Sequence, residues 1–260
     1  MKTLLFPLVL ATSVVLPVAS QADVSVEPAG MKIVWKSLKD EFDGFQTYNS
    51  SEGAYITLAL RGGDKVIIGF DKDKSKVTIS DGTKDLGGKF GMWNKTSKDG
   101  KVMRIEVSSE KLPAADATTL KLTGTLDVTV ASKTDTKSTE AREFKKGDKV
   151  ELTDDFKFEI DKIGKPKWGK DPLELTFKWS RKVPELAAVR FYDKEGKEIE
   201  SSKGGSGWSG FLGKYTVTKS YKLKKESEIL KIEMDLWADA ETITLPVNVV
   251  VGAGGAVKTK

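Results

Sequence analysis

Apolar and charged side chains alternate along most of this chain. The segments "MRIEV" (103–107), "FKFEI" (156–160) and "LKIEM" (230–234) each place an apolar residue at every second position, with charged residues between them. A period of two puts the apolar side chains on one face, as in a half-buried antiparallel strand. Turn-forming quartets such as "SKDG" (97–100) and "DKEG" (193–196) separate these runs. The pattern therefore predicts an all-β protein.

The alternating runs predict about fifteen short strands, and this spacing is typical of a sandwich or a barrel. In the first part of the chain they cover 31–36, 54–60, 65–70, 76–80, 89–94, 102–108 and 119–131. In the second part they cover 149–152, 156–163, 173–179, 186–192, 197–201, 214–223, 229–237 and 242–251.

Several phrases recur in the two parts in the same order. The phrase "DATTLKLTGTLDVTV" (116–130) returns in weaker form as "DAETITLPVNVVVG" (239–252). Three further pairs are "KVIIGFDKDKSKV" with "AAVRFYDKEGKEI", "GGKFGMW" with "GGSGWSGF", and "MRIEV" with "LKIEM". The ordered set favours an internal duplication. Two unrelated β regions with convergent patterning are the alternative.

The repetition predicts two tandem domains, at residues 23–135 and 136–252, followed by a flexible tail at 253–260. The polar stretch 131–148 is rich in Ser, Thr and Lys and reads as a linker or an entry strand between them. Each half holds about seven strands, so the chain resembles immunoglobulin-like β-sandwich modules of exported bacterial proteins. The resemblance is one of architecture only and implies no site.

Residues 1–22 have the order of a secretory signal peptide. Lys2 precedes an uncharged apolar run from Leu4 to Val18, and the small residues Ser20 and Ala22 suit a cleavage site. The run is shorter than the ~20 apolar residues that a membrane span needs. We therefore expect export to the periplasm, cell surface or medium, with no membrane span after signal removal.

The charge pattern argues against nucleic-acid binding. The chain carries 43 basic and 38 acidic residues, and only five of the basic residues are arginines. Arginine is the residue that nucleic-acid sites favour for bidentate contacts, whereas evenly spread Lys and Glu indicate a solvated surface. The predicted partners are therefore another exported protein or a cell-envelope polysaccharide, and not a nucleic acid.

The composition also excludes most catalytic chemistry, because the chain has no His and no Cys. Serine triads, cysteine nucleophiles and His-ligated zinc are thereby excluded. Paired carboxylates and Ser-Lys chemistry remain possible, but nearly all of the acids lie in Lys-rich turns that do not raise a carboxyl pKa. The segment "DKDKS" (71–75) has part of a Ca²⁺-loop spacing, yet interleaved lysines favour a polar hairpin turn. We expect no catalytic residue, cofactor or metal.

The candidate contact residues lie in two glycine-rich aromatic segments at matching places. Phe90 and Trp93 belong to the first segment, and Trp208 and Phe211 to the second. An aromatic ring among glycines is either exposed for binding or closes the end of its own core. The other four tryptophans lie in or beside strand patterns and are expected in the core: Trp35, Trp168, Trp179 and Trp237.

These observations favour an exported, non-catalytic binding or envelope protein. A secreted carbohydrate-active or carbohydrate-binding protein is an alternative. An inhibitor or chaperone-like partner that adds a strand to another exported protein is a second alternative.

Overall fold

The computed structural model describes residues 24–36, 51–92, 94–211 and 214–252, without the side chains of Phe211 and Lys214. All regular structure in these residues is β-strand, and the described part holds no helix able to cross a membrane. The strands are β1 (Ser25–Val34), β2 (Gly53–Arg61), β3 (Val66–Ser80), β4 (Asp85–Gly87), β5 (Lys89–Phe90), β6 (Lys95–Thr96), β7 (Val102–Ser109), β8 (Thr119–Ala131), β9 (Thr134–Ser138), β10 (Arg142–Glu143), β11 (Lys149–Thr153), β12 (Phe156–Gly164), β13 (Leu173–Trp179), β14 (Leu186–Tyr192), β15 (Glu198–Ile199), β16 (Ser201–Phe211), β17 (Lys214–Leu223), β18 (Ile229–Trp237) and β19 (Glu241–Gly252).

The alternating pattern located most of these strands, and the prediction of an all-β protein is confirmed. Five strands were missed, namely β4, β6, β9, β10 and β16, and the stretch 131–148 contains two of them, β9 and β10. The two strands expected at 65–70 and 76–80 form one long strand, β3. The segment "DKDKS" is a bulge within β3, where the pairing with β8 shifts between Asp71 and Lys76, and not a hairpin turn. The expected signal peptide and the tail at 253–260 lie outside the described residues.

The strands form four antiparallel sheets. Sheet I has the order β1-β2-β7, with β5 and β6 both paired to the outer side of β7. Sheet II has the order β19-β8-β3-β4. Sheet III is β18-β14-β15, with β9 and β10 both paired to the outer side of β18. Sheet IV has the order β11-β12-β13-β17-β16.

Each pair of sheets encloses one hydrophobic core. Sheets I and II contribute the first core, in which Ile56, Leu58 and Ile105 of sheet I meet Leu122 and Val128 of sheet II. Sheets III and IV contribute the second core, which is rich in aromatic rings. We call these two bodies the first and the second sandwich.

The second core is organised around one ring. Phe177 contacts Phe158, Trp179, Phe191 and Tyr221, with centroid distances between 4.9 and 6.1 Å. Aromatic contacts of this kind add to the burial of apolar area. The rings come from both sheets of the second sandwich, so this cluster joins the two sheets.

The two sandwiches have the same strand order. Sheet I corresponds to β12-β13-β17-β16 of sheet IV, and β11 is an addition at its edge. Sheet II, read as β19-β8-β3-β4, corresponds to sheet III, in which β9 and β10 lie beside β18 and are followed by β14 and β15. Every pairing in the first sandwich therefore has a counterpart in the second.

The last strand completes the first sandwich, although the sequence analysis assigns it to the second domain. Strand β19 pairs with β8 along its whole length, and Leu245, Val247 and Val249 are buried in the first core. Conversely, β9 leaves β8 and pairs with β18. The first sandwich therefore consists of residues 24–131 together with 241–252, and the second lies between them at 134–237.

The recurring phrases now have a physical explanation. The segments 116–130 and 239–252 are not equivalent strands of two domains but hydrogen-bonded neighbours, β8 and β19. Both share the alternation of inward aliphatic and outward polar residues because they pair in the same sheet. The match between "MRIEV" and "LKIEM" joins β7 to β18, which are not counterparts either. The other two matches join β3 to β14 and β5 to β16, which are counterparts.

One register runs through both sandwiches. The pairs run from Thr119–Gly252 to Val130–Glu241 in the first and resume at Thr134–Trp237 in the second without a slip. Between the two, Asp239 lies opposite Ser132. Its carboxylate accepts hydrogen bonds from the Ser132 amide (2.9 Å), the Ser132 hydroxyl (2.5 Å) and the Lys133 amide (2.9 Å). These bonds lower the pKa of Asp239 to about 2.

Removing β19 should unfold the first sandwich and spare the second. Truncation after Ala238 deletes four buried side chains, Leu245, Val247, Val249 and Val251. Each contributes about 1.5–3 kcal/mol by burial, so their sum rivals the ~5–15 kcal/mol stability of a whole domain. Hydrogen exchange should show loss of protection in β3 and β8 but not in β13. Truncation after Gly252 is the control, and retained protection of β8 without β19 would contradict the assignment.

Asp239, which lies where the chain passes between the sandwiches, should make the free energy of unfolding depend on pH. Its pKa is lower in the folded state, so its contribution is present above pH ~4 and is lost as the pH falls toward 2. In Asp239→Asn this part of the pH dependence should disappear. Urea unfolding at pH 6 and pH 2.5 measures it as the difference between wild type and variant. If the free energy of unfolding changes equally between the two pH values in wild type and Asp239→Asn, the hydrogen bonds do not stabilise the charged form of Asp239.

Candidate functional site

The β16–β17 hairpin carries a long exposed edge strand of the second sandwich. Strand β16 is the edge of sheet IV, and residues 202–210 are all exposed. Edge strands are ordinarily protected by lysines, prolines or bulges. Here Lys203 and a shift in pairing between Lys203 and Ser206 occupy the base of the strand, while residues 204–210 carry no charge.

Glycines allow this strand to lie close against β17. A Cβ atom placed on Gly207 would lie 3.0 Å from the Thr218 hydroxyl oxygen, and one on Gly204 would lie 3.2 Å from the Ser220 Cβ. Larger residues would push the strands apart. The hairpin therefore depends on the same glycines that mark the segment in the sequence.

The hairpin register decides which side chains share a face. Trp208 pairs with Val217, Ser206 pairs with Lys219, and Gly210 pairs with Tyr215. Directly paired residues point to the same side of a sheet, and the side repeats every second residue. These residues continue the row of Tyr221 and Leu223, which points into the second core. We call this side of the hairpin its inner face.

An aromatic pair lies on the inner face near the tip. The rings of Trp208 and Tyr215 are nearly parallel, with an interplanar angle of 12° and centroids 6.1 Å apart. Trp208 is 69% exposed. The ammonium group of Lys182 lies 5.7 Å from the Tyr215 ring centroid, within cation–π range. The two rings are therefore stacked, with the exposed Trp208 ring on one side and a positive charge near Tyr215.

Lys219 occupies an inward position that the pattern would give to an apolar residue. Desolvation by burial lowers its pKa, and the nearby charge of Lys203 lowers it further. Glu185 opposes this shift, but its carboxylate forms an ion pair with Arg181. Within the described part of the chain, Lys219 has no carboxylate at ion-pair distance. The arrangement can accept an anionic group.

A groove of about 510 Å³ opens between β14 and the base of the hairpin. Its lining consists of small residues, two aliphatic residues (Leu186 and Val189), two lysines and one tyrosine. They include Ala187, Ala188, Gly204, Gly205, Ser206, Lys203, Lys219 and Tyr221, and no carboxylate. Tyr221 is buried in this lining, and burial raises its pKa to about 12.

The corresponding place in the first sandwich is closed. There the ring of Phe90 in β5 packs against Phe70 in β3, with centroids 5.0 Å apart in an edge-to-face contact. Their counterpart strands in the second sandwich, β16 and β14, bring Gly204, Gly205 and Ala188 to the groove instead. Small residues border the groove, whereas the counterpart strands of the first sandwich bring two aromatic rings into contact.

The four residues predicted as contacts therefore have different outcomes. Trp208 is exposed on the inner face and does not close the core. Phe90 is half-buried against the first core, so its place is structural. Trp93 lies outside the described residues, and so does the side chain of Phe211, whose backbone ends β16. Of the remaining tryptophans, Trp179 is in the core as expected, whereas Trp35 and Trp168 are exposed.

Sequence reasoning missed Tyr215, Lys203 and Lys219. A signal existed for two of them, since "KYTVTKSYKL" (214–223) alternates Tyr215, Val217, Lys219 and Tyr221 as one row. A lysine within an otherwise apolar row is the sign of an opening in the core. Lys203 had no comparable signal, because the strand that carries it was not predicted.

The carboxylates show no sign of general-acid chemistry. Every carboxyl group with a resolved shift in the described residues has a lowered pKa, as for Asp81, Asp193 and Asp235. Asp81 accepts bonds from three backbone amides, and both oxygens of Asp235 accept bonds from Arg190 at 2.6 Å. In the bulge of β3, the Asp71 side chain accepts bonds from the backbone amides of Asp73 and Lys74. These acids hold turns and strands together.

No group of three or more acidic residues in the described part of the chain is placed to hold a metal ion. No protein-family model matches the chain, and comparisons with curated proteins and with solved structures found no match.

Replacing Trp208 should leave folding stability nearly unchanged, because its ring contributes little to the core. For Trp208→Ala we expect a change in the free energy of unfolding within about 0.5 kcal/mol. Trp179→Ala removes a ring that is 2% exposed and should cost about 3–5 kcal/mol. Chemical denaturation of both variants measures this contrast. A large loss in Trp208→Ala would mean that the ring does close the core.

Proposed function

We propose that this chain is an exported, non-catalytic binding protein that contacts its ligand through the inner face of the β16–β17 hairpin. The observation that carries the proposal is the exposed ring of Trp208, stacked on the half-buried ring of Tyr215 near Lys182, on the same face of the hairpin as Lys219. Tryptophan and tyrosine are enriched at contact surfaces because each supplies a large area at a small entropic cost. The order of residues 1–22 supports export, since it is that of a signal peptide.

We further propose an immunoglobulin-like architecture that arose by internal duplication. Immunoglobulin domains place strands A, B, E and D in one sheet and C, F and G in the other. Strands β1, β2, β7 and β5 have the first arrangement, and β3, β8 and β19 have the second. The identical strand order of the two sandwiches supports the duplication.

A non-catalytic role is supported by the chemistry on the described surface. The chain has no His or Cys, and the carboxyl groups with resolved shifts all have lowered pKa values. A general acid at neutral pH needs a raised pKa. A glycosidase-like enzyme therefore has no support among these residues.

Two classes of ligand each have an observation in their favour. The aromatic surface of Trp208 and Tyr215 suits the face of a sugar ring in a cell-envelope polysaccharide. The free edges of β14 and β16 suit a strand of another exported protein, as expected for an inhibitor or chaperone-like partner.

Trp208→Ala should weaken ligand capture by about tenfold or more, as for a central aromatic contact. Residues 23–260 would be immobilised and exposed to solubilised native envelope and growth medium, and retained proteins and glycans would be quantified separately. Trp168→Ala is the matched control, because Trp168 is equally exposed (74%) but lies in the β12–β13 connection. Equal retention by wild type and Trp208→Ala would overturn the proposal.

A further inference from the structure

We infer that the groove beside β14 takes up an extended acidic segment of another protein, which adds a strand to sheet III. The inference rests on the proposed function and names the ligand class of the same surface. The free edge of β14 and two lysines in a groove lining that holds no carboxylate point to it.

The first argument is an empty strand position. On its outer side β14 pairs with β15 only at Phe191 and Tyr192, so the edge from Leu186 to Arg190 has no strand partner in the described chain. Sheet IV continues past this edge through β17 and β16. An added strand at the free edge of β14 would face the inner side of the hairpin and cover the groove.

The second argument is main-chain chemistry. A free strand edge presents a row of backbone N–H and C=O groups, and these bind an extended peptide in any sequence. A polysaccharide does not reproduce this regular ladder. The four residues from Ala187 to Arg190 extend over ~13 Å, which is enough for several ladder hydrogen bonds.

The third argument is charge. Lys203 and Lys219 are both on the inner face, since Lys203 pairs with Tyr221 and Lys219 pairs with Ser206. The groove lining holds no carboxylate that could neutralise them. A partly buried charge without a partner is costly, and a carboxylate of the incoming strand would remove that cost. The complementary ligand is therefore acidic on the side that faces the hairpin.

The fourth argument is the contrast with the first sandwich. There the rings of Phe70 and Phe90 fill the equivalent space, and no lysine lies in the inward row of β7, where Met103, Ile105 and Val107 are buried. The same strand order therefore surrounds a closed, apolar site in the first sandwich and an open, basic groove in the second. The difference lies in side chains at the groove and not in the fold.

The test uses the whole mature chain and a defined probe. The probe is a blocked peptide of about nine residues in which Asp alternates with Thr, so that all carboxylates lie on one side of an extended strand. Binding is followed by calorimetry and by the change in tryptophan fluorescence, compared between the wild type and Trp208→Ala because the chain has six tryptophans. A peptide with Lys in place of Asp tests charge, and a version N-methylated at alternate residues tests the backbone ladder. Polygalacturonate serves as an anionic polysaccharide probe.

We expect the acidic peptide to bind, and the Lys peptide and the N-methylated peptide not to bind. Lys219→Gln should weaken binding by at least about tenfold, as for removal of one member of a buried charge pair. Lys222→Gln is the matched control, because Lys222 lies on the opposite face of β17 and donates to the Trp168 carbonyl at 2.9 Å. Its binding should equal that of the wild type.

Five results would overturn the inference. They are no binding of the acidic peptide, equal binding of the Lys peptide, equal binding of the N-methylated peptide, unchanged binding in Lys219→Gln, and binding of polygalacturonate alone. If one of these results is obtained while capture from native material still depends on Trp208, the inference is wrong but the proposed function stands. Loss of Trp208-dependent capture would remove the proposed function itself.

Discussion

Backbone hydrogen bonds pair β8 with β19 and β9 with β18, and these two pairings connect the sandwiches. Two stretches of chain, 119–138 and 233–252, lie antiparallel in one register and pass from one sandwich to the other. Cross-strand contacts reinforce the register on the outer side, where the Thr244 hydroxyl donates to Asp127 at 2.6 Å. A slip by one residue would turn Val247 and Val249 out of the first core, so the pattern of burial also fixes the register.

This constraint makes the two sandwiches unequal in their dependence on each other. The second sandwich is continuous in sequence, whereas the first needs the last strand of the chain. If each half had kept its own final strand, β9 would lie on β8 and β19 on β18. In the structure β9 pairs with β18 and β19 pairs with β8, and the Asp239 carboxylate between these pairs accepts three hydrogen bonds from Ser132 and Lys133.

The sequence predicted the strands well wherever one face is buried and the other is charged, as in β7, β12 and β18. It did not predict β9 or β16. In β9 the polar residues Thr134 to Ser138 lie along an edge, and in β16 the residues 202–210 are exposed on both faces, so neither strand has an alternating pattern. The domain boundary failed for a different reason. The sequences of β8 and β19 are similar because the two strands pair in one sheet. A single sequence does not distinguish this cause of similarity from descent by duplication.

The candidate site was predictable only in part, and the reason is physical. Glycines around Trp208 marked the segment, but exposure of the ring depends on where sheet III ends. Lys219 lies in the inward row between Val217 and Tyr221. Whether it faces a closed core or an open groove also depends on where sheet III ends. In a closed sandwich, as at Phe70 and Phe90, an inward lysine would be a buried charge without a partner and would destabilise the fold. Its presence is tolerated because the groove stays open, so the position that weakens the core is also the position that can receive an anionic group.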